Sequence, residues 1–246
     1  MTQIIIMAAG KGTRMQSELP KVLVPLNGRP MLSYLLDSIV KTQPELRPIV
    51  VVSPDNQKLI AENLKGYDVL YAVQEEQLGT GHAVASARSQ VDPLATDVFV
   101  LNGDHPFYKV ETLKELPLKH KGILSMITVA LDSFENWCSV FYHWGRVIRD
   151  KENNALGIIE FKDASEKQKE ILEVNPNCFC FNKDWLFDNI DDLSNQNKQS
   201  EYYITDLVKM AFNEGHVVNT FSIPPQEGMG INSKEELAIA EELMKK

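Results

Sequence analysis

Short, unbroken apolar runs alternate with segments whose apolar residues recur at helical spacing through the first half of the chain. Ile4 to Met7 is such a run, bounded by turn residues, and Pro48 to Ser53 and Asp97 to Leu101 repeat its texture. Runs of this kind predict strands buried on both faces. Between them Pro30 suits a first helical position, followed at helical spacing by Leu32, Leu35, Leu36, Ile39 and Val40; Ser53-Pro54-Asp55 predicts the opening of the next helix. The alternation predicts an α/β fold: an open, mostly parallel, doubly wound sheet whose ligands bind beyond the carboxyl ends of the strands.

After about Leu131 this rhythm loosens into a polar, aromatic-bearing stretch, Ser133 to Asn154, before strand-like segments at Gly157 to Phe161 and Asn177 to Asn182. Helical patterns return at Ile204 to Asn213 and Lys234 to Lys245, and Lys183 to Ser200 ends in a polar tract expected to be an exposed loop. With 246 residues, one domain is expected. Its parts are a nucleotide-binding part (about 1–131), a smaller substrate lobe (about 132–232) and a C-terminal helix (233–246).

The formal net charge of −9, with Lys and Arg scattered, excludes the basic footprint of a nucleic-acid or anionic-membrane partner. Any polyanionic substrate must therefore be held by local groups. Cys138, Cys178 and Cys180 make no disulfide framework, and Cys178 and Cys180, two apart, are expected to share a buried strand face. No signal-peptide pattern opens the chain and no run reaches membrane-spanning length, so a soluble, cytoplasmic protein is expected.

Directly after the first strand come Ala8-Ala9-Gly10-Lys11-Gly12-Thr13-Arg14-Met15 and then Leu19-Pro20-Lys21. Small residues let backbone N–H groups approach phosphate oxygens, and Arg14 and Lys21 bring charge to neutralise a triphosphate. Met15 stands where the dinucleotide fingerprint needs its third glycine, and no GxxxxGK[ST] loop is present. The whole stretch from Ala8 to Leu26 resembles the signature of sugar-phosphate nucleotidyltransferases. That resemblance implies nucleotide contacts along Met7, Ala8, Ala9 and Gly10, with Arg14 assisting departure of pyrophosphate and Lys21 on a phosphate.

Gln74 to Ala83 follows a strand-like run, Asp68 to Val73. An amide such as Gln74 offers a donor and an acceptor together, matching the edge of uracil. In this place QLGTGHA resembles bacterial N-acetylglucosamine-1-phosphate uridylyltransferases, the N-terminal half of a bifunctional enzyme of UDP-N-acetylglucosamine synthesis. The likeness runs over nearly the whole chain and implies Gln74 and Gly79 on uracil, with Thr80 nearby.

Asn102-Gly103-Asp104 ends a predicted strand, where an aspartate faces the crevice and offers a hard oxygen to magnesium. The resemblance implies Asn232 as second metal ligand, although Asn232 or Ser233 would equally serve as the cap of the last helix. It also implies sugar contacts at Asn102, Gly103, Gly145, Glu160, Asn175 and Asn232, with UTP and a sugar 1-phosphate as substrates and Mg2+ as cofactor. In-line attack by a phosphate that is already an anion needs no general base. Two departures fall on the sugar side. His143-Trp144-Gly145-Arg146 stands where the family has GYGR, and Pro176-Asn177 follows the asparagine where the family has Thr-Gly, which removes one backbone donor and one glycine.

Five histidines, His82, His105, His120, His143 and His216, lack metal-ligand spacing and are read as structural. Tyr202 and Tyr203 are read as core packing or ligand contact, and Asp188 to Asp192 as solvated surface. Trp137 to Trp144 reads as a modified lid or a packed insertion. No hexapeptide repeat follows, so the acetyltransferase half of the bifunctional relatives is expected to be missing. Rival readings are a nucleotidyltransferase for another sugar or base, and an inert sensor of the same fold.

Overall fold

The computed structural model describes residues 1–245. Its strands are β1 (Thr2–Met7), β2 (Pro25–Leu26), β3 (Arg29–Pro30), β4 (Ile49–Val52), β5 (Leu70–Val73), β6 (Asp97–Asn102), β7 (Leu124–Ala130), β8 (Gly145–Arg149), β9 (Ala155–Ile159), β10 (Glu173–Asn175), β11 (Phe179–Asn182) and β12 (Asn219–Ser222). All but the small β2–β3 hairpin join one open sheet in the order β5-β4-β1-β6-β11-β7-β10-β8-β9, with β12 added alongside β7.

The parallel character predicted from the βα rhythm holds for the first half, where β5, β4, β1 and β6 pair parallel. Beyond β6 the sheet is mixed: β11 runs antiparallel to both neighbours, the β7–β10, β10–β8 and β8–β9 pairings are antiparallel too, and β12 runs parallel to β7. Between β7 and β11 no long crossover helix separates the strands, so the alternating rhythm fades from the sequence.

The apolar runs are continuous because both faces of the central strands are covered. Alternate residues divide between two cores: Ile5, Val51, Val98 and Val100 point into one, and Ile4, Ile6, Val50, Val52, Phe99 and Leu101 into the other. Cys178 and Cys180 both lie in the second core, fully buried, as expected of residues two apart. A third cluster, including Met15, Val129, Phe141, Val174 and Ile231, draws on both halves of the chain.

Several boundaries differ from those predicted. The first long helix is Met31–Thr42 with Pro30 as its N-cap. The next is Gln57–Asn63, because Ser53 to Asn56 form a separate turn in which the Ser53 amide donates to Asn56 Oδ1 at 2.9 Å. β9 begins and ends two residues early, so Glu160 lies just past the strand. The segment after Lys183 first forms the helix Lys183–Asn189, and the polar loop follows it.

Candidate active site

Parallel register brings three loops to one edge of the sheet. Met7 pairs with Asn102 and Val51, and Val52 with Val73, so the loops that follow β1, β6 and β5 open at the same end of the sheet, at Ala8, Gly103 and Gln74. Between these loops lies a cleft of about 570 Å³ lined by Met7, Ala8, Ala9, Gly10, Gln74, Gly79 and Thr80, the seven positions expected around a nucleotide. Gly12 explains how the first loop folds. It adopts φ 60°, and a Cβ there would sit 2.5 Å from Lys21 Cβ, so its absence lets the loop close against Lys21.

The second loop is built just as tightly. Gly79 has φ 116°, and a Cβ on it would lie 2.6 Å from the Tyr202 carbonyl oxygen and 2.7 Å from the Tyr202 nitrogen. That close approach permits two backbone bonds of 2.8 Å, Gly81 N–H to the Tyr202 carbonyl and Tyr202 N–H to the Leu78 carbonyl. Thr80 Oγ1 accepts from the Ile204 amide at 3.0 Å. Tyr202 therefore braces the loop through its backbone, while Tyr203 is buried and lines neither the cleft nor the cavity beside it.

Gln74 is buried, and its Nε2 donates to the Gly79 carbonyl at 3.1 Å and lies 3.2 Å from His82 Nδ1. A carbonyl only accepts, so the orientation of the amide is fixed. The donor end is engaged within the protein and Oε1 remains for the cleft. This differs from the expected pairing of both amide ends with a base.

Lys21 and Asp104 meet in an ion pair, and the Lys21 ammonium also donates to Asn232 Oδ1 at 3.0 Å. Burial alone would raise the Asp104 carboxyl, but the Lys21 charge, the neighbouring His105 and the hydrogen bonds to the carboxylate together outweigh it and hold the group below its ordinary value. The cap question at the last helix is resolved: Ser233 Oγ accepts from the Glu236 amide at 3.2 Å. Glu236 Oε2 in turn accepts from the Asn232 amide at 2.5 Å, leaving the Asn232 side chain to face Lys21. Asp104 and Asn232 thus converge two hard oxygens on one cation, a donor set that fits magnesium once phosphate and water complete the shell.

A smaller cavity of about 140 Å³ adjoins the cleft. Register again explains its wall: Gly145 pairs with Asn175, and Arg146 with Ile159, which sets Gly145, Asn175 and Glu160 in one row. Asn102, Asp104 and Asn232 complete that wall. Loss of solvent pushes the Glu160 carboxyl up to about 7, only partly offset by the Thr205 hydroxyl donating to Oε1 at 3.0 Å. Asn175 is buried, with Nδ2 donating to the Ile127 carbonyl at 3.1 Å and Oδ1 accepting from the Asn177 amide at 2.9 Å. It braces the wall as well as lining it.

Of the expected site residues, Gly103 alone lines neither space. Its N–H donates to the Met7 carbonyl at 2.9 Å, and a Cβ on it would meet that oxygen and Val22 at 3.1 Å. Arg14 is exposed where cleft and cavity join. His105 is buried, its ring stacked on Tyr108 at 5.8 Å and tilted against Trp144 at 5.3 Å, and burial favours its neutral form. The Trp137–Trp144 stretch is a packed wall over the cavity. Beneath it Arg146 is fully buried, donating to the carbonyls of Tyr142, Trp144 and Lys169 under the ring of Phe134. Sequence reasoning missed Gln77, whose Nε2 donates to the Ala9 carbonyl at 2.5 Å and ties the first two loops of the cleft together. It also missed Glu236, although Ser-x-x-Glu at a helix start was a legible signal.

Residues 4–173 match the family model of the MobA-like NTP transferase domain. The chain is 40% identical over 242 residues to the bifunctional protein GlmU of Caldicellulosiruptor saccharolyticus, covering 98% of this chain and 51% of that protein. With the GlmU of Desulfotalea psychrophila it shares 36% identity over 243 residues, 97% of this chain and 69% of that protein. The chain thus spans about half the length of most of the curated relatives it matches. Among solved structures, the inositol-1-phosphate CTP transferase from T. maritima superimposes with a TM-score of 0.77 at 18% identity, covering 99% of this chain and 94% of that one. A putative glucose-1-phosphate thymidylyltransferase from Bacillus anthracis gives 0.76 at 16% identity, covering 99% and 95%. At these identities the likeness is one of fold. By the family match and by its homology with these curated relatives, the chain belongs to the MobA-like NTP transferases and corresponds to the nucleotidyltransferase half of bifunctional GlmU.

Proposed function

We propose that the chain is a cytoplasmic uridylyltransferase that joins UTP to N-acetylglucosamine 1-phosphate, giving UDP-N-acetylglucosamine and pyrophosphate. The observation that carries this reading is the pair of adjoining spaces that share Arg14, Asp104 and Asn232 at their seam. One space suits a nucleotide, the other a sugar, and the phosphates of both meet at the charged junction.

In the reaction an oxygen of the sugar phosphate forms a bond to the α-phosphorus of UTP, while the bond to the β-phosphate bridging oxygen breaks and its electron pair leaves with pyrophosphate. No proton has to move, because the nucleophile is already an anion. Arg14 neutralises charge building on the departing pyrophosphate, and Lys21 pairs with the transferred phosphate. Asp104 and Asn232 would hold a magnesium ion, which supplies charge neutralisation and alignment of the phosphates. Uracil fits the fixed orientation of Gln74: Oε1 accepts from the N3–H of uracil, whereas cytosine presents a lone pair at that position. Glu160 and the Gly145 backbone face the sugar.

A pyrophosphate-release assay across the four nucleoside triphosphates and several sugar 1-phosphates, with magnesium and with EDTA, tests each part separately. The expected outcome is metal-dependent release with UTP and N-acetylglucosamine 1-phosphate. A preference for another triphosphate would discard the base, and equal kcat/KM with glucose 1-phosphate would discard the sugar. A nucleotidyltransferase for another sugar is the second reading, and it draws on Trp144 and Pro176, which line the sugar cavity and depart from the family pattern.

A further inference from the structure

Asn175, Pro176 and Asn177 form a compact turn at the end of β10. The Asn175 side-chain oxygen accepts from the Asn177 amide at 2.9 Å, and proline holds the middle position, so the turn is fixed by both side chain and ring. Asn177 emerges with φ 53°, in the left-handed region that asparagine enters at less cost than other residues bearing a Cβ. It lines both the nucleotide cleft and the sugar cavity. Its Oδ1 is shielded from solvent and has no hydrogen-bond partner among the described residues. A buried carboxamide oxygen without a donor is costly unless a ligand completes it.

We infer that Asn177 is a specificity-determining residue whose carboxamide pairs with a substrate hydroxyl at the seam between the two spaces. The inference rests on the uridylyltransferase reading. Chemistry selects the ligand group. Phosphate oxygens carry only lone pairs and are matched by the nearby charges of Arg14 and Lys21, whereas the Asn177 oxygen needs a hydrogen donor, which the hydroxyls of the substrates supply. A hydroxyl both gives and takes, so it satisfies either end of the amide. Two sources present hydroxyls beside the seam, the ribose of the nucleotide and the ring of the sugar phosphate.

The test compares wild type with Asn177→Gly, a substitution that keeps the left-handed backbone available. For each protein, kcat/KM is measured with UTP, 2′-deoxy-UTP and 3′-deoxy-UTP, and with N-acetylglucosamine 1-phosphate and its 3-, 4- and 6-deoxy analogues. Wild type is expected to disfavour one analogue by roughly tenfold or more, the scale of an unpaired polar group. Asn177→Gly should lose that preference, falling with the complete substrates while its rate with that analogue stays put. Loss of preference on a deoxynucleotide assigns the ribose, and loss on a deoxysugar assigns the hexose. If wild type is active and Asn177→Gly keeps every preference intact, the role of Asn177 is overturned while the parent reading stands. A wild type inactive on the parent substrates overturns both.

Discussion

Lys21, Asp104 and Asn232 form a balanced cluster in which one ammonium occupies the position where two oxygens converge. Asp104→Asn removes the negative charge that both pairs with Lys21 and suits a divalent cation, so turnover should fall at least about a hundredfold while circular dichroism stays native. Near wild-type turnover at modest magnesium would remove Asp104 from the site. Arg14→Ala should likewise lower kcat by about a hundredfold without changing stability, since the side chain is exposed; an unchanged kcat would exclude it from the mechanism. Glu160 supplies a pH signature. Its carboxyl titrates at about 7 when folded, above the 4.5 of an ordinary glutamate, so between these values the native state binds the extra proton. Its contribution to stability is full below about 4.5 and is lost as pH rises to about 7. Wild type should therefore lose more stability than Glu160→Gln between pH 5 and 7.5 in urea titrations. If the carboxylate accepts from a sugar hydroxyl, KM for the sugar phosphate should also fall through the same window in wild type alone.

At the scale of elements, the glycine loops show how the site is made. Gly79→Ala places a Cβ against the Tyr202 backbone at a φ disfavoured for any side chain, a strain of about 1–3 kcal/mol. The melting temperature should drop by roughly 2–4 °C for each kcal/mol, and KM for UTP should rise as the loop recoils. A variant with both values unchanged would show that the loop tolerates displacement. The parallel strands, their following loops and the final helix were legible in the sequence because continuous apolar runs and helical spacing are local signals. β8 and β10 were not: Gly145–Arg149 and Glu173–Asn175 are short and partly polar, and they become strands by pairing with each other and with β9 and β7. The positions of Arg14, Lys21, Asp104 and Asn232 around one junction followed from motif and fold. Hydrogen-bond roles did not, because they depend on partners distant in sequence, as Gln74 and Asn175 show.

At the scale of the whole molecule, β11 has the most far-reaching position. It lies between β6 and β7, both of which precede it in the chain, and joins the parallel half of the sheet to the mixed half. Until Phe179 to Asn182 is in place, β6 presents one unpaired edge, rich in Val, Phe and Leu, to any other strand that arrives. The sheet cannot be completed in the order in which the chain is synthesised, which makes late closure the slow, aggregation-exposed stage of folding. A fragment of residues 1–173, the span matched by the family model, should therefore precipitate on expression or self-associate in sedimentation velocity. A soluble monomer from that fragment would show that β6 is protected without β11. A strand inserted late between earlier neighbours thus acts as a checkpoint on assembly: a nascent chain has the first loops of the cleft early, but gains a continuous sheet only once β11 has been made.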